Sequence, residues 1–249
     1  MQPLEALAVF GAGLAAGTVN TVVGAGSLIT FPTLLALGYP PVLANVSNTV
    51  GVVPGAASGT VAYRRELAGQ RQRILVLGSA SLSGGVLGSA LLLALPGSVF
   101  KRIVPVLILV ACALILLQPR VSRWLVARRP HREHGGRVLW VAVFATGIYG
   151  GYFGAAQGVI LIALLATFLT DDLNRLNGTK NVLALTANGI SAVAFILFAH
   201  IEWVVAGLIG AGAIIGGQVG GHFGRKLRPD VLRWVVATVG LGVAIALLA

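Results

Sequence analysis

Charge is the scarcest commodity in this 249-residue chain. Only 10% of its residues are Asp, Glu, Lys or Arg, where a soluble domain of this length carries about a quarter. The deficit falls hardest on the acids. There are seven: Glu5, Glu66, Glu133, Asp171, Asp172, Glu202 and Asp230, each in a loop or at the end of an apolar segment. With no carboxylate inside a segment, the usual proton relay or cation site of a membrane protein is disfavoured. An anionic or neutral substrate is favoured instead. The single cysteine, Cys112, lies in an apolar run, so no internal disulfide can form and no thiol site is indicated. The N-terminal Met1-Gln-Pro-Leu-Glu5 lacks the basic start and cleavage site of a signal peptide. No Walker loop, metal-ligand cluster, nucleophile triad or redox motif is present, so neither enzyme chemistry, a cofactor nor a bound metal is expected.

What fills the chain is apolar: 57% of residues are hydrophobic and the mean hydropathy is +0.91. Runs of about 17 residues or more are long enough to cross a hydrocarbon core of roughly 30 Å. The expectation is an all-α polytopic membrane protein with eight hydrophobic segments, near 4–37, 46–63, 74–95, 103–118, 138–169, 178–199, 204–224 and 234–249. Net charge is +11, yet the basic residues gather in short loops: Arg64 to Arg73, Arg120 to Arg137, and Arg225 to Arg228. This is the positive-inside pattern of cytoplasmic loops, with contact to anionic lipid, and it does not argue for nucleic acid. Tyr63, Trp124, Trp140, Trp203 and Trp234 fall at segment ends, as interfacial anchors do.

The chain writes its central pattern twice. Gly17, Gly24 and Ala25 return 130 residues later as Gly147, Gly154 and Ala155; Asn45, Ser47, Asn48 and Thr49 return 132 later as Asn177, Thr179, Lys180 and Asn181. Gly84-Gly85-x-x-Gly88 likewise returns as Gly216-Gly217-x-x-Gly220. The division expected is a first unit over 1–118, a basic cytoplasmic linker over 119–137 and a second unit over 138–249. The first and fifth segments are too long for one span, since 34 helical residues run to about 50 Å. Each has a glycine cluster near its middle, where every glycine costs a helix about 1 kcal/mol. Both therefore read as broken or re-entrant helices whose freed backbone groups face protein or a wet cavity. If they re-enter, the two units are inverted and most basic loops share one face; Lys101 and Arg102 are the exceptions.

A helix that starts inside the membrane offers unpaired N–H groups and a positive partial charge, which suits an anion. Gly24, Gly26 and Ser27 fit this in the first unit, and Gly154, Ala155 and Gln157 in the second, with Ser27 and Gln157 able to add side-chain donors. The alternative is that the glycines only permit packing, which is the simpler account of the Gly84 and Gly216 stripes. The amide clusters Asn45, Asn48, Thr49 and Asn177, Lys180, Asn181 open the following segments. Asn45 or Asn177 can serve as a helix cap, but capping does not need a whole cluster. Lys180, one of three lysines, either snorkels to the headgroups or meets the transported anion. Asn20 and Asn188 are read as substrate contacts or interhelical hydrogen-bonders. His200 with Glu202, and His222, are candidate proton-coupling groups.

These residues carry a resemblance. Gly24-Ala-Gly26-Ser27-Leu-Ile-Thr-Phe-Pro32, Ala44-Asn45-Val-Ser-Asn48-Thr49, Gly150-Gly-Tyr-Phe-Gly154-Ala and Lys180-Asn181 resemble the TauE/SafE family of membrane transporters, in order and in both halves. The resemblance implies about eight membrane segments and a bacterial plasma-membrane location. It also implies export of sulfite, sulfonates or related organic anions, with substrate seated at the two glycine breaks and at Asn48 and Lys180. The partners expected are a small anion and the bilayer, with a homodimer left open. A gated anion channel and a non-transporting membrane scaffold are the alternative functions.

Overall fold

The computed structural model describes residues 1–126 and 136–223, with positions 234, 237, 238, 241 and 242 beyond them. Most of the expected eighth segment, the loop 225–233 and the heart of the basic linker lie outside the described residues. Those described are helical, with no strand among them: α1 (Pro3–Val22), α2 (Ser27–Ala36), α3 (Pro41–Ala62), α4 (Arg71–Ala94), α5 (Gly97–Val126), α6 (Gly136–Tyr152), α7 (Gln157–Phe168), α8 (Leu173–Phe198) and α9 (Trp203–Phe223). Five of them, α1, α4, α5, α8 and α9, contain stretches long and apolar enough to span a bilayer. Large apolar side chains such as Leu75, Val106, Val141, Val193 and Leu197 face outward, as lipid solvation requires.

Three expectations need correction. Helix α3 begins at Pro41 and α8 at Leu173, not at 46 and 178. Proline at the first helical position starts α3, and the Asp172 side chain accepts from the Asn174 backbone N–H at 2.9 Å to cap α8. Asn45 and Asn177 therefore sit inside the helices and cap nothing. Helix α5 runs on to Val126, into the stretch expected to be linker. Tyr63 is no interfacial anchor: it is 2% exposed because its hydroxyl accepts a bond from Asn177.

Small residues decide which helices touch. Lipid tails are as apolar as leucine, so helices associate where small side chains let backbones approach. Gly212, Gly216 and Gly220 of α9 lie against Phe10, Leu14 and Thr18 of α1. Gly51, Gly55 and Gly59 of α3 line up with Ile209, Ala213 and Gly217 of α9 in the same sense. On the other side of the molecule, Gly84 and Gly88 of α4 lie against Phe144 and Ile148 of α6, while Ser81 and Gly85 meet Leu183 and Ala187 of α8. Since paired residue numbers rise together, α1, α3 and α9 run one way, and α4, α6 and α8 run together. The two sets are opposed, because Ser47 near the start of α3 meets Glu202 after α8, and Tyr63 after α3 meets Asn177 near the start of α8. The pairing of α1 with α9 thus has its counterpart in α6 with α4, and α3 with α9 in α8 with α4.

Two apolar clusters fill the spaces left. One joins α1, α2, α5 and the end of α6, with Phe31, Phe100 and Phe153 meeting edge to face. The other joins α4, α6, α7 and α8 through Leu77, Leu139, Leu161, Leu165 and Leu183. Tyr39, in the turn after α2, marks one face: burial raises its phenol above the ordinary value, and the nearby Glu202 and Glu5 carboxylates add to that.

Candidate functional site

Both expected breaks are present, and they are built alike. The N–H groups of Val23 and Gly24 both reach back to the Val19 carbonyl, at 2.7 and 3.1 Å. Those of Phe153 and Gly154 reach back to Tyr149, 130 residues on, at 2.9 and 3.0 Å. Gly24 and Gly154 then turn the chain with φ of +87° and +75°, a region that costs a residue with a side chain about 1–2 kcal/mol. Ala156, which caps α7, also carries a positive φ of +59°, and such strain tends to gather at functional sites.

The breaks touch one another. The Gly158 N–H donates to the Gly24 carbonyl at 3.0 Å. A β-carbon on Gly158 would lie 2.5 Å from the Gly24 Cα, so this contact excludes side chains. It also modifies the expectation of bare half-helix amides: one of the first N–H groups of α7 is already spent across the molecule.

The helix ends at the breaks leave carbonyls without intrahelical partners, and the amide clusters take them. Asn177, Lys180 and Asn181 lie on one face of α8 by i, i+3, i+4 spacing. The Lys180 ammonium donates to the carbonyls of Asn20 and Thr21 at 3.2 and 3.1 Å. Asn177 Nδ2 donates to Thr21 at 3.3 Å and to the Tyr63 hydroxyl at 3.0 Å, while Asn181 Nδ2 reaches Thr21 at 3.5 Å. A cation at a helix C-terminus is favoured by the helix dipole. Snorkelling is overturned, since Lys180 is 1% exposed. In the other half Asn45 Nδ2 donates to the Tyr152 carbonyl at the end of α6 at 3.0 Å. The Thr49 hydroxyl is turned inward to the Asn45 carbonyl of its own helix.

At the start of α7, Gln157 is 2% exposed and packs against Gly150, where any β-carbon would collide with it. Its Oε1 accepts from Asn188 Nδ2 at 3.0 Å; Asn188 Nδ2 also donates to Ala184 at 2.8 Å. Gln157 Nε2 is buried without a partner, as are Asn45 Oδ1, Asn48 Oδ1, Asn177 Oδ1, Thr30 Oγ1 and the Tyr152 hydroxyl. Buried polar atoms are ordinarily paired, so this concentration on the elements flanking the breaks is what a small polar guest would satisfy. Gly26 packs on Ala16 and Asn20, and Ser27 is half-buried at the first residue of α2.

The predicted residues therefore fall into three groups. Asn20, Asn177, Lys180 and Asn181 meet at the end of α1; Asn45 stands at the end of α6; Gly24, Gly154, Gln157 and Asn188 surround the start of α7. Thr21, Tyr63, Tyr149, Tyr152 and Gly158 belong to the same region and were not expected from sequence. Gly158 directly follows Gln157, but its counterpart at the 130-residue offset is Leu28, so the repeat gave no signal there.

A many-helix membrane protein with two interrupted helices in backbone contact, and buried amides around them, has the build of a membrane transport protein. The chain belongs to the family described as "Sulfite exporter TauE/SafE", which matches residues 9–247. It is similar to "Probable membrane transporter protein ORF9" of Sinorhizobium, 26% identical over 96% of this chain and 91% of that one. A "Probable membrane transporter protein" of Haemophilus influenzae is 29% identical over 85% and 82% of the two chains. "Probable membrane transporter protein YfcA" of Escherichia coli K12 is 26% identical over 93% and 87%. No solved structure matches the chain. The protein is thus a multi-pass bacterial inner-membrane transporter, and its relatives are named as transporters, not enzymes.

Proposed function

We propose that this transporter is a secondary carrier that exports a small anion such as sulfite, a sulfonate or a related organic anion. The anion rests between two inverted repeats, and access alternates as one repeat rocks against the other. The carrying observation is Gln157 Nε2, a buried donor without a partner at the positive end of α7. Asn48, Asn188, Ser27 and Lys180 complete the binding region; Lys180 offers a third ammonium hydrogen beyond the two given to Asn20 and Thr21.

The opposed directions of α1 and α6, α3 and α8, and α4 and α9 support inversion. They also support re-entry: α1 and α3 run the same way, so α2 has to return the chain between them. Re-entry of both long segments places the loops that carry Arg64, Arg65, Arg71 and Arg73 on the cytoplasmic face. Export of an anion down an inside-negative potential gains about 2.3 kcal/mol per unit charge per 100 mV, so no membrane-buried carboxylate is needed for coupling.

The test is sulfite or sulfonate flux in proteoliposomes. Substrate on the far side accelerates flux through a carrier; ohmic current without that acceleration would indicate a gated pore and refute the carrier mechanism.

A further inference from the structure

On each face of the molecule a hydroxyl at an equivalent position of α3 or α8 meets the residue before α9 or α4, although the donor and acceptor roles differ. On one, the Ser47 hydroxyl accepts from the Glu202 backbone N–H at 3.0 Å. On the other, the Thr179 hydroxyl donates to Gln70 Oε1 at 2.8 Å. Positions 47 and 179, and 70 and 202, are related by the same 132-residue offset, and residues 70 and 202 stand immediately before α4 and α9. Ser47, Gln70 and Thr179 are all buried.

Among the described residues, only the basic face adds ion pairs to this contact. Arg73 donates to Gln70 Oε1 at 2.7 Å and pairs with Asp171. Arg175 pairs with Asp171 at 3.4 Å and donates to the Ala68 carbonyl at 3.2 Å. Gln70 Nε2 donates to the carbonyls of Glu66 and Arg175 at 2.8 and 3.2 Å. At the same offset the other face has Tyr39 for Asp171, Leu43 for Arg175 and Val205 for Arg73, so it carries no such pair. Around these ions lies a polar cavity of about 380 Å³, lined by Gln70, Arg73, Asp171 and Arg175 together with Gly69, Gln72 and Thr170.

We propose that Arg73 and Arg175 form an oxyanion site at the cytoplasmic mouth, in which Asp171 is a tethered occupant that locks the Gln70–Thr179 gate. A small carboxylate or sulfonate from the cytoplasm takes the place of Asp171 on the two guanidiniums. Arg73 then turns to the newcomer, Gln70 loses one of its two donors, and the contact with Thr179 gives way. A guanidinium fork suits a planar carboxylate or a tetrahedral sulfonate equally. Access is available, because the Arg73 and Asp171 side chains are 16% and 25% exposed. The gate lies one residue from Lys180, which holds the broken end of α1. Since the rival carboxylate is tethered, a free anion unlocks the gate only where its concentration competes with the effective concentration of Asp171. The inference rests on the carrier reading for the direction of traffic; the lock itself does not depend on it.

The experiment uses Gly178→Cys, beside the gate and facing the Leu67 and Glu66 side chains, in a Cys112→Ala background and follows labelling by a charged methanethiosulfonate in purified protein, with methanesulfonate as the anion. Asp171→Asn is expected to speed labelling at least fivefold and to remove its response to methanesulfonate. Asp171→Glu, which keeps a carboxylate for the two guanidiniums, is expected to keep labelling slow. With Asp171 intact, 20 mM methanesulfonate speeds labelling and chloride at equal ionic strength does not. Hydrogen exchange at the backbone amides of residues 66–72, with and without Asp171→Asn, gives the same comparison without the cysteine. Unchanged labelling and exchange in Asp171→Asn overturn the lock; an equal effect of chloride overturns the oxyanion site. A chain that locks and unlocks as stated but moves no sulfonate keeps this inference and loses the transport reading.

Discussion

Gly158→Ala isolates the contact between the two breaks. A methyl group there meets Gly24 Cα at 2.5 Å and its carbonyl oxygen at 3.0 Å, and both are backbone atoms that cannot swing aside. Overpacking of this kind costs about 1–3 kcal/mol. Separating the strands of backbone also weakens the Gly158–Gly24 hydrogen bond, worth about 1 kcal/mol. Against this, alanine gains about 1 kcal/mol in helix propensity over glycine. The net is a destabilisation of about 1–3 kcal/mol. Gly189→Ala in α8 is the control, because nothing lies within 4 Å of the added carbon and only the propensity gain applies. Thermal unfolding in detergent micelles compares the two. At about 2–4 °C per kcal/mol for a chain of this size, Gly158→Ala melts several degrees lower and Gly189→Ala slightly higher. A Gly158→Ala protein as stable as Gly189→Ala would refute the claim that the breaks are held in backbone contact.

Four further outcomes follow from the same geometry. Lys180→Gln lowers anion flux in proteoliposomes at least several-fold while the protein still purifies folded; unchanged flux removes Lys180 from the site. Gln157→Glu replaces the unpartnered donor by a carboxylate, so protection against thermal unfolding by sulfite or sulfoacetate disappears; retained protection would place the anion elsewhere. Asn45→Ala leaves the Tyr152 carbonyl at the end of α6 without its side-chain donor and costs about 1–3 kcal/mol in chemical unfolding, an effect not mimicked by Thr49→Val, whereas Asn177→Ala costs less because Lys180 and Asn181 still donate to the Thr21 carbonyl. Tyr63→Phe, which removes the acceptor for Asn177, costs about 1 kcal/mol or more by the same measurement.

Position along the membrane was legible from composition. Long apolar runs interrupted by glycine locate spans and breaks because both signals are local: hydropathy is a property of a window, and a left-handed turn needs glycine at that residue. Hence Gly24 and Gly154 could be named as the turning points, and the Gly84 and Gly216 stripes as packing surfaces. Local chemistry was read less well at the helix starts. Pro41 and Asp172 were passed over for the amides that follow, because apolar content rises only a turn later.

Partnership needed three dimensions. Gly158 is an ordinary helical glycine until Gly24 is laid against it from 134 positions away. Lys180 reads as an anion ligand or a snorkelling side chain until α1 ends beside it and offers two carbonyls. Arg73, Asp171, Gln70 and Thr179 look like unrelated loop and helix residues, separated by up to 109 positions, and no periodicity links them. Hydropathy and glycine act on the segment that contains them, whereas a hydrogen bond or ion pair exists only where folding brings two distant segments within about 3 Å.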